Sequence, residues 1–232
     1  MIRTLAIALA VSVLLGVSTG AATNLGVSSR TLDVYRTCVL TGASSTSTAV
    51  AETYVNEGSA TSNFGTATTM GVQTRNGNRN QRSYLRFDLT LCSPALTSTA
   101  TLVHARLDVF VTTIAAACRT IDAFRVTAPW GEGTITWNSQ PFGTTSNNPP
   151  TAQRSAFTTI GSSPCTYTAA NQYVSLTVTT DVTAFIAGTS TNYGWMLRDD
   201  VENSATQRVT VLATTEANNA ARGPRLIITY KP

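Results

Sequence analysis

The chain is predicted to fold as an all-β protein, an antiparallel β-sandwich of jelly-roll type stapled by two disulfides. Three observations point there. Short β-prone runs alternate apolar and polar residues, with turn residues between them, at the spacing of a sandwich or barrel. Threonine is unusually frequent, at about 40 of the 232 residues, and it suits a pleated, half-buried surface. Four cysteines follow a segment that reads as a secretory signal, and an even count in an exported chain favours disulfides.

Residues 1–22 are read as that signal. Arg3 supplies the positive charge, Leu5 to Val17 is an apolar run, and small residues follow. This is the order of an n-region, an h-region and a cleavage site, expected near Ala21 or Ala22. The apolar run is too short for a membrane helix of about 20 residues. An uncleaved N-terminal anchor is the alternative. No later stretch is apolar enough to span a bilayer, so no stable membrane span is expected after cleavage, and the mature chain is expected outside the cell or at its surface.

Residues 23–50 are read as an N-terminal extension and linker. Asn24 to Leu40 alternates enough for one or two strands, and Gly42 to Thr48 is rich in Ser and Thr, as linkers are. Residues 51–232 are then one sandwich domain, long enough for a real core.

Strands are expected at Thr53–Val55, Thr69–Thr74, Ser83–Leu89, Val103–Val111, Thr120–Val126, Val174–Thr180, Gly194–Arg198, Arg208–Thr214 and Arg225–Tyr230. Glu57 to Phe64 is a loop, and Arg75 to Asn80 a turn around an Asn-Gly pair. Period-two alternation places Leu85, Phe87 and Leu89 inward, and Tyr84, Arg86 and Asp88 outward. It likewise places Ala105, Leu107, Val109 and Val111 inward, against His104, Arg106, Asp108 and Phe110. Only Thr180 to Gly188 reads as helical, ended by Gly188.

Trp130-Gly-Glu-Gly-Thr-Ile-Thr-Trp-Asn-Ser-Gln-Pro141 holds two of the three tryptophans. Thr134–Trp137 reads as a short strand stopped by Asn138, Ser139 and Pro141. Trp130 and Trp137 read as core anchors. The alternative is an exposed platform on which a sugar stacks.

The cysteines are Cys38, Cys92, Cys118 and Cys165, which allow three connectivities. Cys118–Cys165 is preferred, because each lies just before a predicted strand of the second half. Cys38–Cys92 would then tie the extension to the sandwich. The spacing suits no structural zinc site.

Chemistry-bearing patterns are few. A single histidine, His104, removes most catalytic triads, and no phosphate loop or nucleophile elbow appears. Asp88 and Asp108 are the cheapest carboxylate pair for hydrolysing a glycosidic bond. Each has an arginine two residues earlier, Arg86 and Arg106, so a cross-strand ion-pair ladder explains all four. Asp199 to Asn203 offers oxygen ligands to calcium, but it also reads as an ordinary turn between strands. No catalytic residue, metal or cofactor is assigned.

Charged residues are 12% of the chain, against about 25% in typical soluble domains. Of sixteen Lys and Arg residues only Lys231 is lysine. Arginine's planar fork pairs bidentately with carboxylates. Arg75, Arg79, Arg82 and Arg86 lie on one turn and the strand after it, and Arg106 and Arg198 are expected to join Arg86 on an outer face. Such a face suits a uronic-acid polymer. The alternative is a set of surface charges and internal salt bridges. Nucleic acid is not an expected partner of an exported chain with so modest a net charge.

The order of several motifs resembles the secreted bacterial β-sandwich modules named after the DNRLRE motif. These are Ala51-Glu-Thr-Tyr-Val55, Ser62-Asn-Phe-Gly65, Tyr84-Leu-Arg-Phe-Asp-Leu89, Trp130-x-Glu132 with Thr134-x-Thr-Trp-Asn138 and Pro141, Asp181-Val-Thr183, Gly194-Trp195 and Arg222 to Tyr230. Glu52 stands where that pattern usually has Asp, and Gly223 separates Arg222 from Pro224. Some members are carbohydrate-binding modules for acidic polysaccharides, so the resemblance implies a sandwich fold and points to sugar binding. The expected function is that of a secreted, non-catalytic module binding polysaccharide outside the cell. The rival is a structural or adhesive surface module with no sugar site, its arginines already paired and an apolar patch free for a neighbour. The sequence assigns no oligomeric state.

Overall fold

A computed structural model of the protein describes residues 34–42, 46–92, 96, 100–217, 219 and 221–232. The segment read as a signal lies outside the described residues, as do the extension up to residue 33 and linker residues 43–45. Among the described residues the strands are β1 (Arg36–Thr41), β2 (Val50–Asn56), β3 (Thr69–Thr74), β4 (Gln81–Phe87), β5 (Thr101–Thr113), β6 (Arg119–Arg125), β7 (Ala156–Ile160), β8 (Gln172–Thr177), β9 (Trp195–Asp199), β10 (Arg208–Ala213) and β11 (Arg225–Lys231). One helix, α1 (Thr179–Ile186), follows β8. Gly188, at φ +68°, turns the chain out of it in the left-handed conformation, as glycine does after many helices.

The named strands pair antiparallel in one curled sheet that folds over on itself. One layer runs β1–β11–β5–β10–β3, with β8 along the other edge of β5; the second runs β4–β9–β6–β7, with β2 beside β4. The layers join where Gln73 of β3 faces Gln81 of β4. Between them lies the main core. Leu85 and Phe87 of β4, Ala105, Leu107, Val109 and Val111 of β5, and Leu226 and Ile228 of β11 all point into it and are buried. The period-two reading of these strands holds, and each large side chain so buried contributes about 1.5–3 kcal/mol.

The β4–β9–β6 layer is buried on its other face too. Tyr84, Met196 and Phe124 stand in register across these strands. Residues 127–155 lie over them and add Trp130, Ile135 and Trp137 to a second, smaller core. This overturns the outward placement of Tyr84, which is fully buried. Trp130 and Trp137 are anchors, 8% and 3% exposed, and Trp130 donates its indole N–H to the Tyr193 carbonyl at 2.7 Å.

Thr134–Trp137 is not a strand. Residues 132–134 form a turn, and Trp137–Ser139 a 3-10 turn. The Ser139 hydroxyl accepts from the Thr136 N–H at 3.0 Å, so Thr136 acts as a helix-start residue. β7 had no counterpart in the sequence reading; it pairs with β6 and leaves Phe157 exposed.

Two disulfides close the fold. Cys38–Cys92 ties β1 to the turn after β4, and Cys118–Cys165 ties the entry to β6 to the loop after β7. The preferred connectivity is the one present. Among the described residues no helix is long and apolar enough to cross a membrane.

Candidate functional site

The six arginines expected to share one face are dispersed. Arg82 is fully buried. Its Nε lies 2.7 Å from Glu202 Oε1 and its Nη2 2.8 Å from Oε2. It also donates to the Gly143 and Thr145 carbonyls and lies 4.7 Å from the Trp137 ring centre. Arg198 is likewise fully buried. It donates to the carbonyls of Pro149 and Asp199, each at 2.8 Å, and burial lowers its pKa. The outer face expected for these two exists, but residues 127–155 cover it, so neither reaches solvent.

Arg106 sits on β5, in the other layer, where it pairs with Asp108 at 2.8 Å. Arg225 is the second partner of Asp108, at 3.2 Å. The expected ladder through Arg86 and Asp88 therefore does not form: the two Arg–Asp strands lie in different layers. Arg75 and Arg79 are at the turn before β4, where Arg75 donates to Gln207 at 2.8 Å.

In the acidic turn after β9 the carboxylates have protein partners. Asp199 and Asp200 both accept from Arg119, and Glu202 holds Arg82 and the Asn147 N–H. Among the described residues no three His, Cys, Asp or Glu side chains are grouped to hold a metal ion.

Arg86 differs from the rest. It ends β4 at the opposite end from Arg79, about 20 Å along the strand at about 3.3 Å per residue. Among the described residues no carboxylate comes within ion-pair distance of it. Asp88, the obvious competitor, is instead engaged by the Thr90 N–H and hydroxyl at 2.9 and 2.6 Å. The guanidinium lies 5.5 Å from the Trp130 ring centre, a cation–π geometry. It lines a cleft of about 550 Å³ with Asp88, Thr90, Phe185, Thr191 and Asn192. Gly194 shapes this end of the sheet. Its φ is +74°, and a Cβ there would stand 1.9 Å from the Leu85 carbonyl. Asn192 then donates to the Phe87 carbonyl at 2.8 Å, fixing the cleft wall.

A second cleft, of about 560 Å³, lies between residues 127–155 and the start of α1. Arg125 and Arg154 line it, with Phe142, Gln153, Thr180 and Asp181. These arginines escaped the sequence reading. Arg125 is merely the penultimate residue of the Thr120–Val126 run, and Arg154 follows a loop with no periodicity.

Three carboxylates gather nearer to β2. Glu52 is 1% exposed. Its Oε1 accepts from the Thr215 N–H at 2.5 Å, while its Oε2 has no hydrogen-bond partner. Glu132 Oε1 accepts from the Glu52 N–H at 3.2 Å, and Glu216 follows Thr215. Burial, reinforced by Glu216 and Glu132, pushes the Glu52 carboxyl up to about 7. A folded-state pKa above the unfolded value favours the folded protein only while the group stays protonated. The stability is complete below about pH 4.5 and is lost as pH rises through 7. At 1.36 kcal/mol per pH unit the loss is about 3 kcal/mol. Glu52→Gln should therefore match the wild type in urea melts at pH 4.5 and exceed it by up to about 3 kcal/mol at pH 7.5. Equal stability of the two at pH 7.5 would show that Glu52 ionises without cost.

A family model described as carbohydrate-binding module family 96 matches residues 43–230. No curated protein matches the chain.

Proposed function

The chain belongs to carbohydrate-binding module family 96, and on that premise we propose that it is an exported, non-catalytic module that binds an acidic polysaccharide through Arg86 and its cleft. One observation carries the choice of site: Arg86 is a half-buried guanidinium on the rim of a cleft, held against an indole, near Glu132 but in direct contact with no carboxylate among the described residues. A uronate carboxylate supplies a direct partner. The resemblance to DNRLRE-type modules supports an acidic polymer over a neutral one. Export rests on residues 1–22 as a signal, residues 23–50 as an extension and residues 51–232 as the binding domain; the two disulfides suit an oxidising compartment. The adhesive alternative draws support from Val34, Tyr35 and Val39, which are exposed on and beside the edge strand β1.

Affinity electrophoresis in gels containing alginate or pectate tests the proposal. The wild type should be retarded, and Arg86→Ala should lose about 10–100-fold in affinity, the worth of one charge-assisted hydrogen bond of about 1.5–3 kcal/mol. Arg79→Ala, exposed and at the far end of β4, should bind as the wild type does. Retardation should weaken with salt as the Debye length falls from about 10 Å at 0.1 M to about 3 Å at 1 M. Equal retardation of wild type and Arg86→Ala rejects the site and favours the adhesive module.

A further inference from the structure

We propose that the cleft between residues 127–155 and the start of α1 is a second saccharide subsite, in which Arg125 and Arg154 take the carboxylate of an acidic sugar unit. This rests on the reading of Arg86 as a contact for the same polymer. The cleft, at about 560 Å³, falls in the roughly 300–1,000 Å³ range of small-ligand sites.

Its lining is suited to an anionic sugar. Gln153 and the Thr177 and Thr180 hydroxyls are exposed. Hydroxyl and amide groups both donate and accept, as sugar hydroxyls require. Phe142 adds an apolar wall. The Arg154 guanidinium lies over the Phe157 ring, 3.9 Å from its centre, with Nη1 on Asp122 at 3.0 Å. Asp122 itself is fully buried behind it. Arg125 meets Asp181 only at 3.4 Å. The other Asp181 oxygen accepts the Trp195 indole N–H at 2.8 Å, so Asp181 keeps a partner when Arg125 turns to a ligand. Each arginine thus has its own carboxylate, Arg125 on Asp181 and Arg154 on Asp122, each through Nη1. A guanidinium carries five N–H donors, so both can also bond an added carboxylate.

The two clefts are also neighbours. Asp181 lines the second and Phe185 the first. They lie one turn apart on α1, a rise of about 6 Å, and both contact Trp195. Arg86 and Arg125 lie at the same end of β4 and β6, the strands on either side of β9, with backbones about 10 Å apart. Arg125 is in register with Trp195 and Leu85, and Arg86 is on the opposite face beside Trp130. One polymer chain wrapped over this end of the sheet, from one face to the other, meets both arginines, and affinity rises with its length.

Calorimetric titration with oligogalacturonates and oligoguluronates, from dimer to octamer, tests this on the whole protein. For the wild type, affinity should climb with length. Arg125→Gln should flatten that climb and weaken octamer binding by about tenfold, the effect of about 1.4 kcal/mol. Thr180→Asp provides a second variant. It places a negative charge at the cleft mouth, on an exposed position in the first turn of α1 where Asp is tolerated, and should weaken the octamer without lowering the urea midpoint. If both variants keep the wild-type length dependence while Arg86→Ala loses binding, the second subsite is rejected and the Arg86 site stands. If Arg86→Ala binds normally while Arg125→Gln does not, the Arg86 site is rejected and the second cleft is the one occupied. Wild-type behaviour in all three rejects both.

Discussion

Arg82→Ala should cost the domain about 3–5 kcal/mol, the penalty for removing one partner of a buried ion pair. The size follows from what is left behind. Glu202 is 3% exposed, and its carboxylate would lose both bonds to the guanidinium, keeping the Asn147 N–H at 2.6 Å. The Gly143 and Thr145 carbonyls would lose their donor as well. A buried unsatisfied acceptor adds about 1–3 kcal/mol. Equilibrium urea unfolding at neutral pH measures the effect. Arg82→Met with Glu202→Gln removes the stranded charge, so the double variant should be more stable than Arg82→Ala. A loss below about 1 kcal/mol for Arg82→Ala, the size expected of an exposed pair, would show that water reaches Glu202.

Trp137→Ala should be as damaging, at about 3–5 kcal/mol, the usual cost of deleting a large buried aromatic. Trp137 belongs to the smaller core, and Arg82 lies over its ring. Its carbonyl accepts from Gln140 Nε2 at 3.0 Å, and Gln140 Oε1 in turn accepts from Arg82 and from the Tyr84 hydroxyl at 3.1 and 2.9 Å. Indole, guanidinium and amide form one unit, so the two losses should not add: Arg82→Ala with Trp137→Ala should cost less than the sum. An unchanged urea midpoint for Trp137→Ala would mean that the indole is exposed, and a sugar-stacking role would return.

The residues of the main core were legible because alternation along one strand needs no knowledge of any other. Leu85, Phe87, Leu107 and Val109 show this. Tyr84, Asp108 and Phe110 were misplaced because alternation says which side a residue faces, not what lies over that side. Arg82 meets Glu202 from 120 positions away, a separation at which no local pattern operates. Thr134–Trp137 failed for a different reason. Thr suits strands, but it also starts helical turns, and the nearby Ser139 supplied the bond that decided the matter. In the candidate site, Arg86 was visible through its alternation with Leu85 and Phe87. Its freedom from Asp88 was not, because that depends on the Thr90 hydroxyl. Arg125 and Arg154 carry no local signal; α1 and the 127–155 segment make them a site.

Residues 127–155 run for roughly thirty positions without a strand or an α-helix, far beyond the usual length of a structureless connection. Such stretches ordinarily exchange amide hydrogens quickly and are cut first by proteases. Here the segment is fastened by two indoles, by Arg82 and Arg198 reaching up from the sheet to its carbonyls, and by Asn147, whose N–H and side chain bond Glu202. Lifting it away would break the bonds of Arg82 to the Gly143 and Thr145 carbonyls and of Arg198 to the Pro149 carbonyl at once, leaving Arg82 with Glu202 and Arg198 with the Asp199 carbonyl. Its bonded amides are therefore expected to exchange more slowly than those of an unfastened loop, and a protease added to the native protein to cut it later. The same fastening keeps Phe142 and Arg154 at fixed positions before any ligand arrives, so little conformational entropy remains to be lost on binding.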